Sequence, residues 1–303
     1  MKAVVLKEFG GADNLQLENV DDPVAGAGEV LVRVRATSVN PIDWKIRSGS
    51  AKGRIDVTLP AILGRDLAGV VEQVGKGVSG FATGDRVMAL INRTYAELAT
   101  VKADQLVHMP EGLDFEPAAA LPLVSLTGTQ LIERAVKIES GQTVLILGAL
   151  GSVGRSAVHA ALMHGANVIA GVRKNQIQDA KSLGAQQVVA IDDERALRKL
   201  QNLDAVADTV GGAVATQALQ TLNENGVFGS VLGPPKEAEK YKVRVQAFMA
   251  QPDATRLTEL AKDAAKGELT IPIAKTLPLA QIREAHREAE QGQVNGKIVL
   301  RVP

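Results

Sequence analysis

The first third of the chain alternates short apolar runs with polar turns. Its runs at 3–6, 30–36, 69–75, 84–89 and 95–101 have the length of strands, and those at 30–36 and 95–101 also alternate as half-buried strands do. Glycine followed by aspartate at 84–85 marks one of the turns between them. Strands repeated at roughly ten-residue intervals are typical of an antiparallel, barrel-like domain.

The pattern changes near residues 117–122, where prolines flank an alanine-rich stretch. A helix is predicted over 125–137, and apolar strands then alternate with helical stretches, which favours a doubly wound parallel α/β sheet. The strands are predicted at 143–147, 167–172, 188–191, 205–210 and 226–233, with helices at 154–164, 176–183 and 213–222. An edge strand is expected at 243–248, a helix at 255–266, and β structure again at 297–302.

The strand at 143–147 leads directly into three glycines at spacing three, followed by a helix and another strand. This order is that of the first βαβ unit of a dinucleotide-binding fold, with the pyrophosphate at the start of the helix. Gly148 would make the tight turn, Gly151 would admit the phosphates, and Gly154 would allow close packing. The alternative is a turn that serves packing alone. The residues expected to bind the cofactor here are Gly148, Leu150, Gly151, Ser152, Val153 and Gly154.

Composition excludes several classes of function. The 303 residues are enough for two domains, and a net charge of zero disfavours nucleic-acid partners and anionic membranes. No apolar run reaches the ~18 residues of a membrane span, and residues 1–8 do not form a signal peptide. The absence of cysteine excludes disulfides and thiolate chemistry, from which a cytoplasmic location is expected.

Several motifs resemble those of the medium-chain dehydrogenase/reductases, and most closely the zinc-independent quinone oxidoreductase branch. The pattern G-x-D-x-x-G-x-V-x-x-V-G occupies 64–75, and F-x-x-G-D-x-V occupies 81–87. The segments 38–43, 119–122 and 296–300, together with the glycine turn, follow in the family's order. The resemblance thus extends over nearly the whole chain.

The resemblance implies a GroES-like, β-rich catalytic domain formed by residues 1–123 and 262–303. A Rossmann domain that binds NADPH, residues 124–261, would be inserted into it. The implied reaction is hydride transfer from NADPH to a small quinone, enone or enal, and the implied assembly is a homodimer.

No metal site is expected. Where zinc-dependent relatives carry ligands, this sequence has Val39 and Asn40 at one place and Arg65 and Asp66 at another. The four histidines lie in separate segments and are interpreted as structural. Without a Lewis acid to stabilise an alkoxide, alcohol oxidation is disfavoured, whereas the π system of a quinone or a conjugated alkene accepts hydride by itself.

The segment after the second Rossmann strand indicates which cofactor is used. NAD-binding folds carry an acid about 20 residues beyond the glycines, to bind the ribose 2′-hydroxyl. Residues 171–175 contain no acid, but they include Arg173 and Lys174, which suit a 2′-phosphate. The alternative is a solvated basic loop. We predict a preference for NADPH.

The remaining candidate residues follow from the resemblance. It places Asn40 by the nicotinamide ribose and the substrate, Thr127 by the nicotinamide, and Val231, Leu232 and Gly233 by the carboxamide. Asn40 could equally belong to a plain turn, and Thr127 could cap a helix.

Lys45 stands where close relatives often carry a tyrosine. It could orient an anionic substrate or a quinone oxygen, or it could simply be solvated. With Arg65 and Asn40 it completes the predicted catalytic set, and no side chain stands out as the proton donor.

These inferences favour an NADPH-dependent quinone oxidoreductase. The nearest alternative is an alkenal or enone double-bond reductase. A further alternative is a non-catalytic NADPH-binding protein with a sensing or structural role.

Overall fold

The computed structural model describes residues 1–292 and 294–303. The chain forms two compact units: the first unit comprises Met1–Leu123 and Pro252–Pro303, and the second unit comprises Val124–Gln251. We expected the second boundary at residue 262. It lies at Pro252 instead, because the helix Ala254–Ala265 packs against the strand Val107–His108 of the first unit.

Sixteen strands occur in the described residues. They are β1 (Lys2–Leu6), β2 (Leu15–Asn19), β3 (Glu29–Val39), β4 (Ala61–Ile62), β5 (Asp66–Val74), β6 (Arg86–Leu90), β7 (Leu98–Lys102), β8 (Val107–His108), β9 (Thr143–Leu147), β10 (Asn167–Val172), β11 (Gln187–Ala190), β12 (Leu203–Asp208), β13 (Leu222–Ser230), β14 (Arg244–Ala247), β15 (Ile273–Pro278) and β16 (Lys297–Arg301).

Nine α-helices occur in the same residues. They are α1 (Pro41–Ser48), α2 (Phe115–Ala120), α3 (Pro122–Gln130), α4 (Ser152–Met163), α5 (Ile177–Ala180), α6 (Glu194–Leu197), α7 (Gly212–Ala218), α8 (Ala254–Ala265) and α9 (Ile282–Gln291). A π-helical segment, Leu131–Val136, continues α3.

The first unit is built around the long strand β3, which pairs antiparallel with β5, β7 and β16. Its larger sheet has the order β15-β16-β3-β5-β6-β8, with β7 paired to β3, and its smaller sheet has the order β2-β1-β4. Apolar side chains of both sheets form one core, which includes Val4, Leu6, Val32, Val34, Leu67, Val87 and Leu300. The tail strand β16 therefore lies inside the sheet formed mainly by the first hundred residues.

The second unit contains a six-stranded parallel sheet in the order β11-β10-β9-β12-β13-β14. Along the unit this order reads 3-2-1-4-5-6, that of a doubly wound dinucleotide-binding fold, and the direction of winding reverses between β9 and β12. Alternate residues of β9 enter two different clusters, because both faces of the sheet are covered. Ligands of such sheets bind at the carboxyl ends of the strands where the winding reverses.

Candidate functional site

The three glycines after β9 meet different demands. Gly148 has φ +78°, and a Cβ added there would lie 2.6 Å from Thr209 Oγ1. A Cβ on Gly154 would lie 2.0 Å from the carbonyl oxygen of Gly148, so the start of α4 packs directly onto the turn. A Cβ on Gly151 would approach only that same oxygen, at 3.2 Å. The turn is therefore close-packed at Gly148 and Gly154 and open at Gly151.

Helix α4 begins at Ser152, with Gly151 as its N-cap, two residues earlier than the predicted 154. Leu150 is buried, whereas Ser152 and Val153 are half-buried. The N–H groups of the first turn of a helix have no partner within the helix and attract anions. The turn and the start of α4 therefore fit a pyrophosphate.

Thr127 lies within α3 rather than at its start, so it does not cap this helix. A Cβ on the next residue, Gly128, would lie 2.3 Å from the carbonyl oxygen of Val153. This close approach of α3 to α4 brings Thr127 near the first turn of α4.

Arg173 and Lys174 follow β10 directly, and both are exposed. The backbone N–H of Lys174 donates to Asp192 Oδ1 at 2.8 Å. Sequence spacing did not reveal this acid, because it lies beyond the next strand. The place expected for a 2′-phosphate thus holds two cations and one nearby carboxylate.

Asp208, at the end of β12, organises the loops beside the turn. Its Oδ1 accepts from the N–H groups of Val210 and Gly211 at 2.9 and 2.8 Å, and its Oδ2 accepts from Ser230 Oγ at 2.7 Å. Ser230 Oγ in turn accepts from Leu232 N at 3.1 Å. The only sequence signal for this role was an aspartate between a strand and a glycine pair.

The predicted segment 231–233 follows these anchors. Val231 N donates to Asp208 O at 3.3 Å, Leu232 is 40% exposed, and Gly233 has φ +112° with no atom near a hypothetical Cβ. Together with Gly212, Leu232 and Gly233 line a cavity of about 610 Å³, whereas Val231 does not. The second unit therefore supplies a glycine-lined cradle, a helix N-terminus and a basic loop, which fit a nicotinamide dinucleotide.

The first unit holds Asn40 in a buried polar network. Asn40 is the N-cap of α1 and is 1% exposed. Its Nδ2 donates to Asp66 Oδ2 at 2.7 Å, and its Oδ1 accepts from Lys297 Nζ at 2.5 Å. The nitrogen and the oxygen of the amide therefore both form hydrogen bonds inside the first unit. The resemblance, which implies that Asn40 contacts the substrate, did not predict these bonds.

Asp66 is the centre of this network and has no exposed surface. Its carboxylate accepts from Ser38 Oγ at 2.5 Å and from Leu123 N at 2.7 Å, besides Asn40. Lys297 Nζ lies 3.4 Å from Oδ2 and also donates to Val39 O at 3.1 Å. Burial lowers the pKa of Lys297, and the carboxylates of Asp66 and Asp43 oppose that shift.

These residues do not fit a zinc ion. One of the positions where zinc-dependent relatives carry ligands holds Asn40, whose amide nitrogen and oxygen are both already hydrogen-bonded. Another of these positions holds the cation of Arg65. The carboxylate of Asp66 faces the ammonium group of Lys297. In the described residues, no three His, Cys, Asp or Glu side chains come together as a metal site.

A second buried chain of polar groups starts at Asp43, on α1. Its Oδ2 accepts from Asn40 N at 2.8 Å and from Tyr95 OH at 3.1 Å. His286 Nε2 lies 3.3 Å from Tyr95 OH. Sequence reasoning interpreted His286 as structural and did not single out Asp43 or Tyr95.

The three side chains of this hydrogen-bonded series all have shifted pKa values. Burial raises the pKa of Asp43 to about 6 and raises that of Tyr95 well above its usual value. Burial, with a contribution from Arg47, lowers the pKa of His286 to about 3. Each group is therefore held toward its uncharged form.

Asp43 and Arg65 line the same cavity of the first unit, about 790 Å³ in volume. Arg65 is half-buried, and its Nε has no hydrogen-bond partner among the described residues. Lys45 and Asn40 are not part of this cavity wall. Lys45 is half-buried, with its Nζ 5.5 Å from the centroid of the Trp44 ring.

Within residues 1–292 and 294–303, no helix has both the length and the apolar character needed to cross a bilayer. A cytoplasmic location stays a prediction.

Two domain families match this sequence. Residues 26–111 match the alcohol dehydrogenase GroES-like domain, and residues 183–300 match the zinc-binding dehydrogenase family. A 2-haloacrylate reductase from Burkholderia sp is 30% identical, over 98% of this chain and 98% of its own length.

Solved structures are similar over the full length. The quinone oxidoreductase from Coxiella burnetii is 31% identical with a TM-score of 0.90, covering 100% of this chain and 99% of that one. The Escherichia coli quinone oxidoreductase complexed with NADPH is 27% identical with a TM-score of 0.87, covering 99% of this chain and 100% of that one. These similarities confirm the predicted combination of a GroES-like domain with a Rossmann sheet, and they support a nicotinamide cofactor.

Proposed function

Because this chain belongs to the medium-chain dehydrogenase/reductase family, as a quinone oxidoreductase-like and hence NAD(P)H-dependent member, we propose that it uses NADPH to reduce a quinone or an activated alkene without zinc. When bound, the nicotinamide supplies a hydride. The protein supplies the cofactor cradle of the second unit and an acceptor cavity in the first.

We attribute the proposed preference for NADPH over NADH to the exposed side chains of Arg173 and Lys174. Both cations follow β10, the strand next to β9, where a dinucleotide fold places the adenine ribose. A guanidinium group binds phosphate through paired, charge-assisted hydrogen bonds. Asp192, beside the backbone of Lys174, opposes this preference, because its carboxylate repels a phosphate and suits a ribose hydroxyl.

Replacing Arg173 tests the cofactor assignment. In Arg173→Ala, the ratio of kcat/KM for NADPH to that for NADH should fall by about tenfold or more, because one charge-assisted contact contributes about 1.5–3 kcal/mol. Asp192→Asn should move the ratio in the opposite direction. Lys181→Ala removes another exposed lysine of the same unit and should leave the ratio unchanged. An unchanged ratio in Arg173→Ala would reject the assignment.

The first-unit cavity is the proposed acceptor site. Its volume of about 790 Å³ is in the range of small-molecule sites. Arg65, on its wall, is proposed to contact an oxygen of the acceptor, and Lys45 to attract an anionic one. Asn40 is proposed to act indirectly, by fixing the start of α1.

The acceptor class is tested by comparing turnover of NADPH with 1,2-naphthoquinone and with 2-hexenal. A higher kcat/KM for the quinone supports quinone reduction, whereas a preference for the alkenal supports the double-bond reductase. The similarity to a 2-haloacrylate reductase supports the double-bond reductase as the alternative function. Binding of NADPH without turnover of either acceptor would favour the non-catalytic alternative.

We also propose a homodimer. Strand β14 ends the six-stranded sheet and pairs only with β13 among the described strands, so its other edge can extend a partner's sheet. Sedimentation at micromolar concentration should give twice the 31.8 kDa mass of the chain. A monomer under these conditions would reject this assembly.

A further inference from the structure

A reduced acceptor needs a proton as well as a hydride, and Asp43 is placed to supply it. We propose that the carboxyl group of Asp43 protonates the acceptor in the first-unit cavity, with Tyr95 and His286 as its positioning residues. This proposal rests on the reductase function proposed above.

The geometry assigns different tasks to the two oxygens of Asp43. Oδ2 accepts both hydrogen bonds, from Asn40 N and from Tyr95 OH. No hydrogen bond to Oδ1 occurs among the described residues, and Asp43, although only 1% exposed, is one of the residues that line the cavity. Oδ1 is thus the oxygen left to carry the transferable proton.

Tyr95 and His286 fix the direction of the hydrogen bonds behind Asp43. Since the Tyr95 hydroxyl donates to Asp43, its oxygen accepts from His286, which requires the proton of the imidazole on Nε2. The other ring nitrogen, Nδ1, is buried and lacks a partner among the described residues. The buried cation of Arg47 disfavours a second proton there.

The charges around Asp43 keep part of its population protonated near neutral pH. Burial is the main cause of its pKa of about 6, the nearby carboxylate of Asp66 raises it further, and Lys297 and the two hydrogen bonds oppose the shift. A general acid works best when its pKa is near the working pH. The titratable and charged groups that face Asp43 through its hydrogen-bonded neighbours or across the cavity are Tyr95, His286, Asp66, Lys297, Arg65, Arg93, Asp21, Asp56 and the amino group of Met1.

The proton step is balanced. Once the acceptor has received the hydride with its electron pair, it is an anion, either the oxyanion of a quinone or an enolate. The Oδ1–H bond of Asp43 breaks and the proton joins that anion. Asp43 remains as a carboxylate, which water in the cavity protonates again, and no group is oxidised or reduced in this step.

A purely structural role for Asp43 has to be separated from this one. Asp43 is the N3 residue of α1, and it forms a capping box with Asn40. In Asp43→Asn the amide oxygen can still accept from Asn40 N, but the side chain no longer carries a transferable proton. The variant therefore preserves the cap and removes the acid.

With the favoured acceptor, Asp43→Asn should lower kcat by about 10²-fold with a smaller change in KM, because a general acid contributes at least that much. The decline of wild-type kcat above pH 6 should disappear in the variant. Asp253→Asn makes the same substitution at the N-cap of α8, another helix of the first unit, and should keep the wild-type pH profile. Independently of turnover, infrared difference spectra of the protein alone should show a carboxylic acid band that titrates near pH 6 and is absent from Asp43→Asn.

Tyr95→Phe gives a second test if Asp43→Asn does not fold. Loss of the hydroxyl removes a hydrogen bond that stabilises the carboxylate, so both the infrared titration and the decline in kcat should move to higher pH. An unchanged kcat and pH profile in Asp43→Asn would reject the proton role while the reductase function stands. Failure of the wild type to reduce any acceptor would reject both.

Discussion

Three buried side chains of the first unit show how far burial moves a single residue from its usual chemistry. Desolvation is the largest cause of the raised pKa of Asp43 and of the lowered pKa values of His286 and Lys297. Their neighbours come from distant parts of the chain. The composition and local spacing of the sequence therefore contain no sign of these shifts.

The neutral state of His286 should make the protein sensitive to acid. Its folded pKa of about 3 lies below the unfolded value of 6.5, so below pH 6.5 the unfolded state binds the extra proton and stability falls as the pH falls toward 3. Between pH 7 and pH 4 this one group should cost about 3 kcal/mol.

His286→Gln removes this titration while its amide can still donate to Tyr95. Urea unfolding at pH 7, 6, 5 and 4 should show a smaller loss of stability in the variant than in the wild type. Titration of Asp43 changes the free energy of unfolding with pH in the opposite direction, because the folded pKa of Asp43 is raised. This contribution is the same in the wild type and the variant, so it cancels when their curves are compared. Parallel curves would contradict the assignment of a neutral, buried His286.

At the scale of elements, hydrophobic periodicity predicted the strands of the second unit and the order of its first βαβ unit. It placed the start of α4 two residues late. The N-cap of this helix is Gly151, a residue type that by itself suggests a loop. The prediction missed the helices α1, α2, α6 and α9, the strands β2 and β15, and the two-residue strands β4 and β8. In α9, Ile282, Ala285 and Ala289 recur at helical spacing, so the sequence pattern does indicate this helix. The two-residue strands, in contrast, are defined only by their pairing with neighbouring strands.

The glycine turn allows a prediction at this scale. Gly154→Ala places a methyl group 2.0 Å from the carbonyl oxygen of Gly148, which requires α4 to move. We expect a loss of about 3 kcal/mol in the free energy of unfolding by urea, as for other overpacked sites. Gly151→Ala, whose methyl group would lie 3.2 Å from the same oxygen, should cost much less. Equal losses would contradict the packing role of Gly154.

At the scale of the whole molecule, the candidate site of the first unit joins residues from distant parts of the chain. Asp66 and Lys297 are separated by 231 positions, and their contact depends on β16 pairing with β3. The sequence predicted both strands, but not that the lysine of β16 neutralises the aspartate of β5. Long-range pairings of this kind follow only from the assembled sheet.

Lys297→Met should therefore destabilise the first unit by about 4 kcal/mol, because it leaves the buried charge of Asp66 without its counter-ion. Adding Asp66→Asn to this variant should restore part of the loss, since the double variant buries no charge at this position. Chemical denaturation of the two single variants and the double variant gives the coupling energy. Strict additivity would show that the pair does not interact.

The place of β16 inside the sheet of the first unit also affects biosynthesis. A growing chain exposes β3 and Asp66 early, but Lys297 emerges only after the whole of Val124–Gln251 has been made. At roughly 5–20 residues per second, this interval lasts tens of seconds. During that time the second unit can fold, whereas the first lacks an interior strand and the cation for its buried carboxylate. A nascent chain halted before residue 297 would thus present an unfinished sheet edge to chaperones and proteases.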